Sequence, residues 1–122
     1  EVMEGINAET LIVMMIETPE AVDNAADIAA VSGVDVLLVG GSDLSATMGI
    51  PGQFNNPDFI DAVGKVVDAA VAASKWPGLG GIYDESILPG FVKRGMRFFL
   101  GGSDISFILD GGRSRGAFFN KL

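Results

Sequence analysis

Two carboxylates, Glu17 and Asp43, each come after a short run of apolar residues. Residues 11–16 (LIVMMI) lead directly to Glu17, and residues 34–39 (VDVLLV) lead to the turn that carries Asp43. Such runs are typical of buried strands in a parallel sheet. The carboxyl ends of parallel strands meet at one edge of the sheet, where ligands bind. Because hard divalent cations prefer oxygen ligands, the pattern predicts a cation site formed by these two acids.

The turn that carries Asp43 also has features of an anion site. Residues 40–45 (GGSDLS) form a diglycine turn followed by a helix start. The backbone N–H groups of Ser42 and Asp43 would then lie at a helix N-terminus, which favours a carboxylate or a phosphate. A metal-chelated 2-oxo acid needs both contacts. The alternative is that Glu17 is a solvent-facing acid and that Asp43 is only the N-cap of the short helix.

The chain alternates predicted strands and helices, which indicates a parallel sheet with right-handed crossovers. Residues 1–9 are compatible with the tail of a helix plus a loop. The patterns predict strands at 11–16, 34–39, 78–83 and 96–100, and helices at 19–31, from 43 to Gly49, at 56–75, at 85–94 and from 103 towards 119. Gly111 and Gly112 weaken the middle of the last helix and predict a kink or a break there.

An internal echo links the second and fourth strands. Residues 40–45 and 101–106 (GGSDIS) match in five of six positions and lie two β-α units apart. This favours a β/α barrel with paired units, although glycine turns with Ser and Asp caps would also produce it. We interpret Ser103 as an N-cap, and Asp104 as structural or as a support behind a metal ligand. Trp76 and the phenylalanines of the last two elements are interpreted as packing, core or interface residues.

Composition excludes several classes of function. The net charge is −8, and residues 1–64 hold eleven acids and no Lys or Arg, so nucleic acid is an unexpected partner. The chain has no Cys and no His, which excludes disulfides, thiolates and histidine ligands within it. No apolar run has the roughly 20 residues of a membrane span, and no signal peptide or nucleotide-binding glycine motif is visible. We expect a cytoplasmic protein.

The motifs resemble those of one enzyme family. Residues 16–24 (IETPEAVDN), 28–35 (IAAVSGVD) and 40–45, with Gly49, resemble the HpcH/HpaI aldolase and citrate-lyase-like family of metal-dependent class II pyruvate aldolases. That family includes 4-hydroxy-2-oxoheptanedioate aldolase and the macrophomate-synthase type. The two acids are 26 residues apart, as in the family. The resemblance implies a TIM-type (β/α)8 barrel of which residues 1–122 form the C-terminal half, strands five to eight.

The resemblance also implies a mechanism and an assembly. Glu17 and Asp43 would bind Mg²⁺, Mn²⁺ or Co²⁺, and the backbone N–H groups of Ser42 and Asp43, beside Gly41, would hold the pyruvate carboxylate. The metal would stabilise the enolate of the 2-oxo acid, which adds to an aldehyde or is released from one. Barrels of the family assemble into trimers and hexamers and exchange their last helix.

The chain departs from the family in two respects. Members commonly have Pro where Gly41 stands, a change that the turn should tolerate. The family's catalytic Arg and His lie in the missing half, so this half would contain no catalytic residue and would be inactive alone.

Four strands leave two unpaired edges and an uncovered apolar face. The other half of the barrel would therefore come from the same polypeptide, a second fragment or a partner chain. Two other interpretations of the chain stay open at this point. The chain would alternatively be a non-catalytic half-barrel, an anion-binding or assembly module that needs a partner. A flavodoxin-like domain with an acidic metal pocket is disfavoured, because its last strand should end in Lys and strand four here ends in Leu100 and two glycines.

Overall fold

The computed structural model describes the backbone of residues 2–122 and the side chains from residue 5 onwards. Within this range the chain forms one sheet and a set of helices around it. The strands are β1 (Val13–Ile16), β2 (Val36–Gly40), β3 (Trp76–Gly80) and β4 (Phe98–Phe99). The helices are α1 (Val2–Glu9), α2 (Pro19–Asp23), α3 (Ala25–Ala30), α4 (Gly41–Thr47), α5 (Pro57–Ala72), α6 (Leu88–Lys93) and α7 (Asp104–Phe119).

The sheet is parallel throughout, and its strand order, β1-β2-β3-β4, follows the order of the chain. Ile16 pairs with Val39, and Gly40 pairs with Gly80, so the carboxyl ends of the first three strands are level. A doubly wound flavodoxin-like sheet would instead have the order 2-1-3-4-5. The sequential order excludes that alternative and is the order of successive strands in a β/α barrel.

The hydrophobic core lies between one face of the sheet and the helices α2, α3, α5 and α6. Ile16, Leu37, Val39 and Leu79 supply the sheet side of this core. Helix α5 contributes the largest share of the helix side, because its apolar residues recur with helical periodicity. These buried residues are Phe59, Ala62, Val63, Val66, Val67 and Ala70.

The opposite face of the sheet carries the alternate residues of each strand and has no helix against it. Val36 and Leu38 are buried there, and a Cβ on Gly78 would meet both of them and Phe98. Three large apolar side chains near the margins of this face are exposed to solvent: Met15 by 50%, Trp76 by 60% and Leu100 by 43%. The interpretation of Trp76 as a packing residue is therefore wrong for the described part of the chain.

Several predicted elements have different bounds from the observed ones, and three of these differences have a clear physical reason. The helix expected at 19–31 is two helices, because Asn24 leaves the helical conformation (φ −93°, ψ 7°) between them. The third strand begins earlier, at Trp76, and ends at Gly80 because Gly81 turns the chain with φ +77°. The last helix runs unbroken through Gly111 and Gly112, since a propensity loss of about 1 kcal/mol per glycine does not forbid helical dihedrals.

Helix α7 extends away from the core. Its N-terminus is capped as predicted, because the Ser103 hydroxyl accepts a hydrogen bond from the Ser106 N–H at 3.2 Å. No residue of the helix is buried, so its phenylalanines are not core residues within the described part of the chain. The exposed apolar side chains are Ile105, Phe107, Ile108, Leu109, Phe118 and Phe119. No helix in residues 2–122 is long and apolar enough to cross a membrane, and the cytoplasmic location stays a prediction.

Candidate functional site

The Glu17 side chain lies across the end of the neighbouring strand. Glu17 follows β1, and its Cγ and Oε1 both lie 2.7 Å from the point where a Cβ on Gly40 would be. Gly40 is the last residue of β2. It lies on the same face of the strand as Val36 and Leu38, the face that has no helices against it. The half-buried Glu17 carboxylate therefore occupies space that exists only because residue 40 has no side chain.

Asp43 lies in the first turn of α4, three residues after Gly40. The helix starts immediately after the strand, with Gly40 as its N-cap and no side-chain capping bond. The interpretation of Asp43 as the N-cap is therefore wrong. Asp43 is exposed, and among residues 5–122 no hydrogen bond or ion pair engages the carboxylate of Asp43 or of Glu17. Both acids lie at the carboxyl edge of the sheet, as the sequence predicted.

A hydroxyl group joins the two elements that carry these acids. Thr47, the last residue of α4, has its Oγ1 2.8 Å from the backbone oxygen of Glu17. The same Oγ1 lies 3.0 Å from the backbone oxygens of Asp43 and Leu44. The C-terminal end of β1 is thereby tied to the helix that begins with Asp43.

The start of α4 is held from two sides. The Ser42 hydroxyl donates to the Gly81 carbonyl at 3.0 Å, which links the ends of β2 and β3. The fully buried Ser45 hydroxyl donates to the Ser42 carbonyl at 2.9 Å and accepts from the Gly52 N–H at 3.1 Å. The N–H groups of Ser42 and Asp43 belong to the first turn, where a helix offers no internal acceptor.

Two glycines shape the space around Ser42. A Cβ on Gly81 would lie 3.0 Å from the Ser42 Oγ and 3.2 Å from its N atom. A Cβ on Gly41 would lie 2.6 Å from Cγ1 of Ile82, so the buried Ile82 side chain fills the room that a larger residue 41 would take. The expectation that this turn should tolerate Pro at position 41 is therefore wrong for the chain as it is packed here.

Sequence reasoning did not single out Thr47, Ser45 or Gly81. A threonine or serine in a short helix has no distinctive pattern, and its partners lie on other elements. The only available signal was at Gly81, one of the glycines that made the predicted third strand at 78–83 a weak one.

The donor set fits a hard cation that completes its coordination with other ligands. Within the described residues, no group of three or more acidic side chains converges on one point, so that part of the chain offers two carboxylates at most. Hard cations such as Mg²⁺ are held by one or two carboxylates together with water and substrate oxygens. The echo residue Asp104 differs, because its Oδ1 accepts a hydrogen bond from the Ile105 N–H at 2.8 Å within α7, which agrees with a structural role.

Comparison with known proteins identifies the family. The sequence profile of the HpcH/HpaI aldolase/citrate lyase family matches residues 1–110. The chain belongs to this family. It is 47% identical over 77 residues to 4-hydroxy-4-methyl-2-oxoglutarate aldolase cghB of Chaetomium globosum, covering 63% of this chain and 29% of that protein. It is 30% identical over 119 residues to 4-hydroxy-2-oxo-heptane-1,7-dioate aldolase of Salmonella typhimurium, covering 98% of this chain and 45% of that protein.

Solved structures of the family have the same fold. An HpcH/HpaI aldolase/citrate lyase family protein from Burkholderia cenocepacia superposes with a TM-score of 0.81 at 28% identity, over 93% of this chain and 44% of that one. The chain thus spans less than half the length of the relatives that it matches. The family resemblance and the fold class, parallel β/α units of a partial TIM-type barrel, are confirmed. The assignment of residues 1–122 to the C-terminal half stays a prediction.

Proposed function

We propose that this chain is part of a divalent-metal-dependent aldolase, a carbon–carbon lyase that acts on a 2-oxo acid such as pyruvate together with an aldehyde. Its family and its aldolase-named relatives support the reaction class. The observation that carries the metal site is the Glu17 carboxylate, which lies over the bare backbone of Gly40 beside the turn that leads to Asp43. Among the described residues, neither carboxylate makes a hydrogen bond or an ion pair.

In this proposal Glu17 and Asp43 hold the cation, which would be Mg²⁺, Mn²⁺ or Co²⁺. The backbone N–H groups of Ser42 and Asp43 hold the carboxylate of the 2-oxo acid, and Gly41 beside them makes room for the buried Ile82 side chain behind the turn. The bound cation would supply Lewis acidity for the negative charge that develops on the 2-oxo acid. The chain's own residues bind and orient. With no His among them, proton transfer falls to the acid/base His of the missing half-barrel, which also holds the catalytic Arg.

The open surfaces of the chain support an incomplete barrel. The free edge of β1 and the helix-free face leave Leu11, Ile12 and Met15 at least 42% exposed. A closed barrel has eight strands and no such edges. We propose that a missing N-terminal half covers this face, that the 122-residue chain alone is inactive, and that the complete protein is a trimer or hexamer.

The metal site is tested by titrating the chain with Mn²⁺ and following free Mn²⁺ by electron paramagnetic resonance. Oxalate serves as the probe for the 2-oxo acid, because it offers a carboxylate and a chelating oxygen but is not turned over. The variants are E17Q and D43N, which remove one charge each while keeping the shape. D104N is the matched control, because Asp104 has the same place in the echo motif and makes only its own helix contact.

We expect one Mn²⁺ site per chain, tightened by oxalate, and binding weakened by at least about 10-fold in E17Q and in D43N. D104N should bind like the wild-type chain. Equal losses in all three variants would indicate general attraction to an acidic protein and would refute the assignment. Binding that is unaffected by oxalate would instead favour the non-catalytic module.

A further inference from the structure

We propose that Gly40 and Thr47 are positioning residues for the Glu17 carboxylate. The inference rests on the proposed function, in which Glu17 is a metal ligand. It adds that two residues outside the ligand set fix where this ligand lies, one by leaving space and the other by a hydrogen bond.

Gly40 acts through the side chain that it lacks. Ordinary contacts of a Cβ are 3.4–4 Å, whereas a Cβ here would lie 2.7 Å from both Cγ and Oε1 of Glu17 and 3.2 Å from Cδ. Three atoms of one side chain would therefore have to move together, so a rotation of the carboxylate alone would not relieve the contact. An alanine at position 40 would displace the carboxylate from the end of β2 and hence from the turn that leads to Asp43.

Thr47 acts on the backbone of Glu17. The first strand has only one neighbour within the described residues, β2, and Glu17 lies just beyond the last ladder pair, Ile16 with Val39. The contact from Thr47 Oγ1 to the Glu17 carbonyl, at 2.8 Å, is shorter than its contacts within α4 at 3.0 Å. It fixes the distance between the strand end that carries one acid and the helix that carries the other.

The two devices reinforce each other, because each limits a different freedom of Glu17. Thr47 restrains the main chain, while the missing side chain of Gly40 leaves the Glu17 side chain room to lie over the end of β2. Groups that orient a metal ligand typically change metal affinity by about 10–100-fold when they are removed. A lost neutral hydrogen bond alone corresponds to about 0.5–1.5 kcal/mol, or roughly 2- to 12-fold.

The test uses the same Mn²⁺ titration on the 122-residue chain. G40A should weaken binding by about 10–100-fold, and T47V by roughly 2- to 12-fold. T47S retains the hydroxyl and should restore binding. G64A is the matched control for G40A, because a Cβ on Gly64 meets nothing within 4 Å; it should bind like the wild-type chain. Circular dichroism of each variant checks that the fold is kept.

A double-mutant cycle separates positioning from general loss of structure. In the E17Q background, G40A and T47V should cause no further loss of Mn²⁺ affinity, because the ligand that they position is already neutral. If E17Q weakens binding while G40A and T47V leave it unchanged, or if their effects add fully to that of E17Q, the positioning role is refuted and the metal site stands. If E17Q binds Mn²⁺ like the wild-type chain, the proposed function fails, and the positioning role fails with it.

Discussion

Replacing Gly81 by alanine should lower the stability of the fold and weaken the binding of an anion at the Ser42 N–H. Its φ of +77° lies in the left-handed region, where a side chain costs about 1–2 kcal/mol. In G81A the new Cβ would also stand 3.0 Å from the Ser42 Oγ and disturb the hydrogen bond from that hydroxyl to the Gly81 carbonyl, worth about 0.5–1.5 kcal/mol. We expect a total loss of free energy of unfolding of about 1.5–3.5 kcal/mol.

Gly49 provides a closely matched control. Its φ is +76°, and a Cβ there would meet nothing within 4 Å. G49A should therefore carry the backbone strain alone, about 1–2 kcal/mol. Urea unfolding of the two variants, followed by circular dichroism, gives the difference in the free energy of unfolding, which we expect to be about 1 kcal/mol.

The same pair of variants tests the anion contact. A methyl group 3.2 Å from the Ser42 N atom competes for the position of a carboxylate oxygen, which would lie about 2.9 Å from that nitrogen. Oxalate should therefore strengthen Mn²⁺ binding less in G81A than in G49A. Equal stability of the two variants together with equal oxalate effects would refute the account of Gly81 and of the Ser42 N–H.

Two further predictions concern regions outside the site. Deleting residues 104–122 should leave the urea midpoint of the sheet and its helices unchanged, because α7 has no buried residue. In the proposed oligomer, whose barrels exchange their last helix, the deletion should also lower the mass measured by light scattering. A large drop in the urea midpoint would contradict the described packing. In the loop after β3, hydrogen bonds from the Ser86 hydroxyl and N–H lower the pKa of Asp84. These bonds add stability above the ordinary carboxyl pKa, and that stability is lost as pH falls through the lowered value. S86A should raise the Asp84 pKa in an NMR titration, and an unchanged pKa would count against these bonds.

The sequence predicted the parallel β/α order and the placement of Glu17 and Asp43 well. Both acids follow apolar runs, and β2 is buried on both faces, as its run predicted. The same prediction is wrong for β1 in this chain, where Met14 is 39% and Met15 50% exposed, because β1 is the edge strand of the described sheet. The diglycine turn indicated a helix start close to the end of β2, although α4 begins at Gly41, two residues earlier than predicted.

Other features could not be predicted, because they depend on contacts between distant parts of the chain. The space above Gly40 matters only once β1 lies beside β2, and the Thr47 hydroxyl bonds a residue 30 positions away. The shift of β3 to Trp76 follows from its register with Val36, which local propensity does not contain. The prediction of a kink or a break at Gly111 and Gly112 was wrong, because helix propensity sets a free-energy cost and does not dictate a conformation.

The claim that Glu17 and Asp43 bind one cation is tested most directly by diffraction from crystals of the chain grown with Mn²⁺ and oxalate. Anomalous scattering distinguishes Mn²⁺ from the light atoms of the protein and of water. We expect a single strong peak with an oxygen of each carboxylate at ~2.1 Å. A peak held by only one of the two acids, or a peak elsewhere on the acidic surface, would contradict the account.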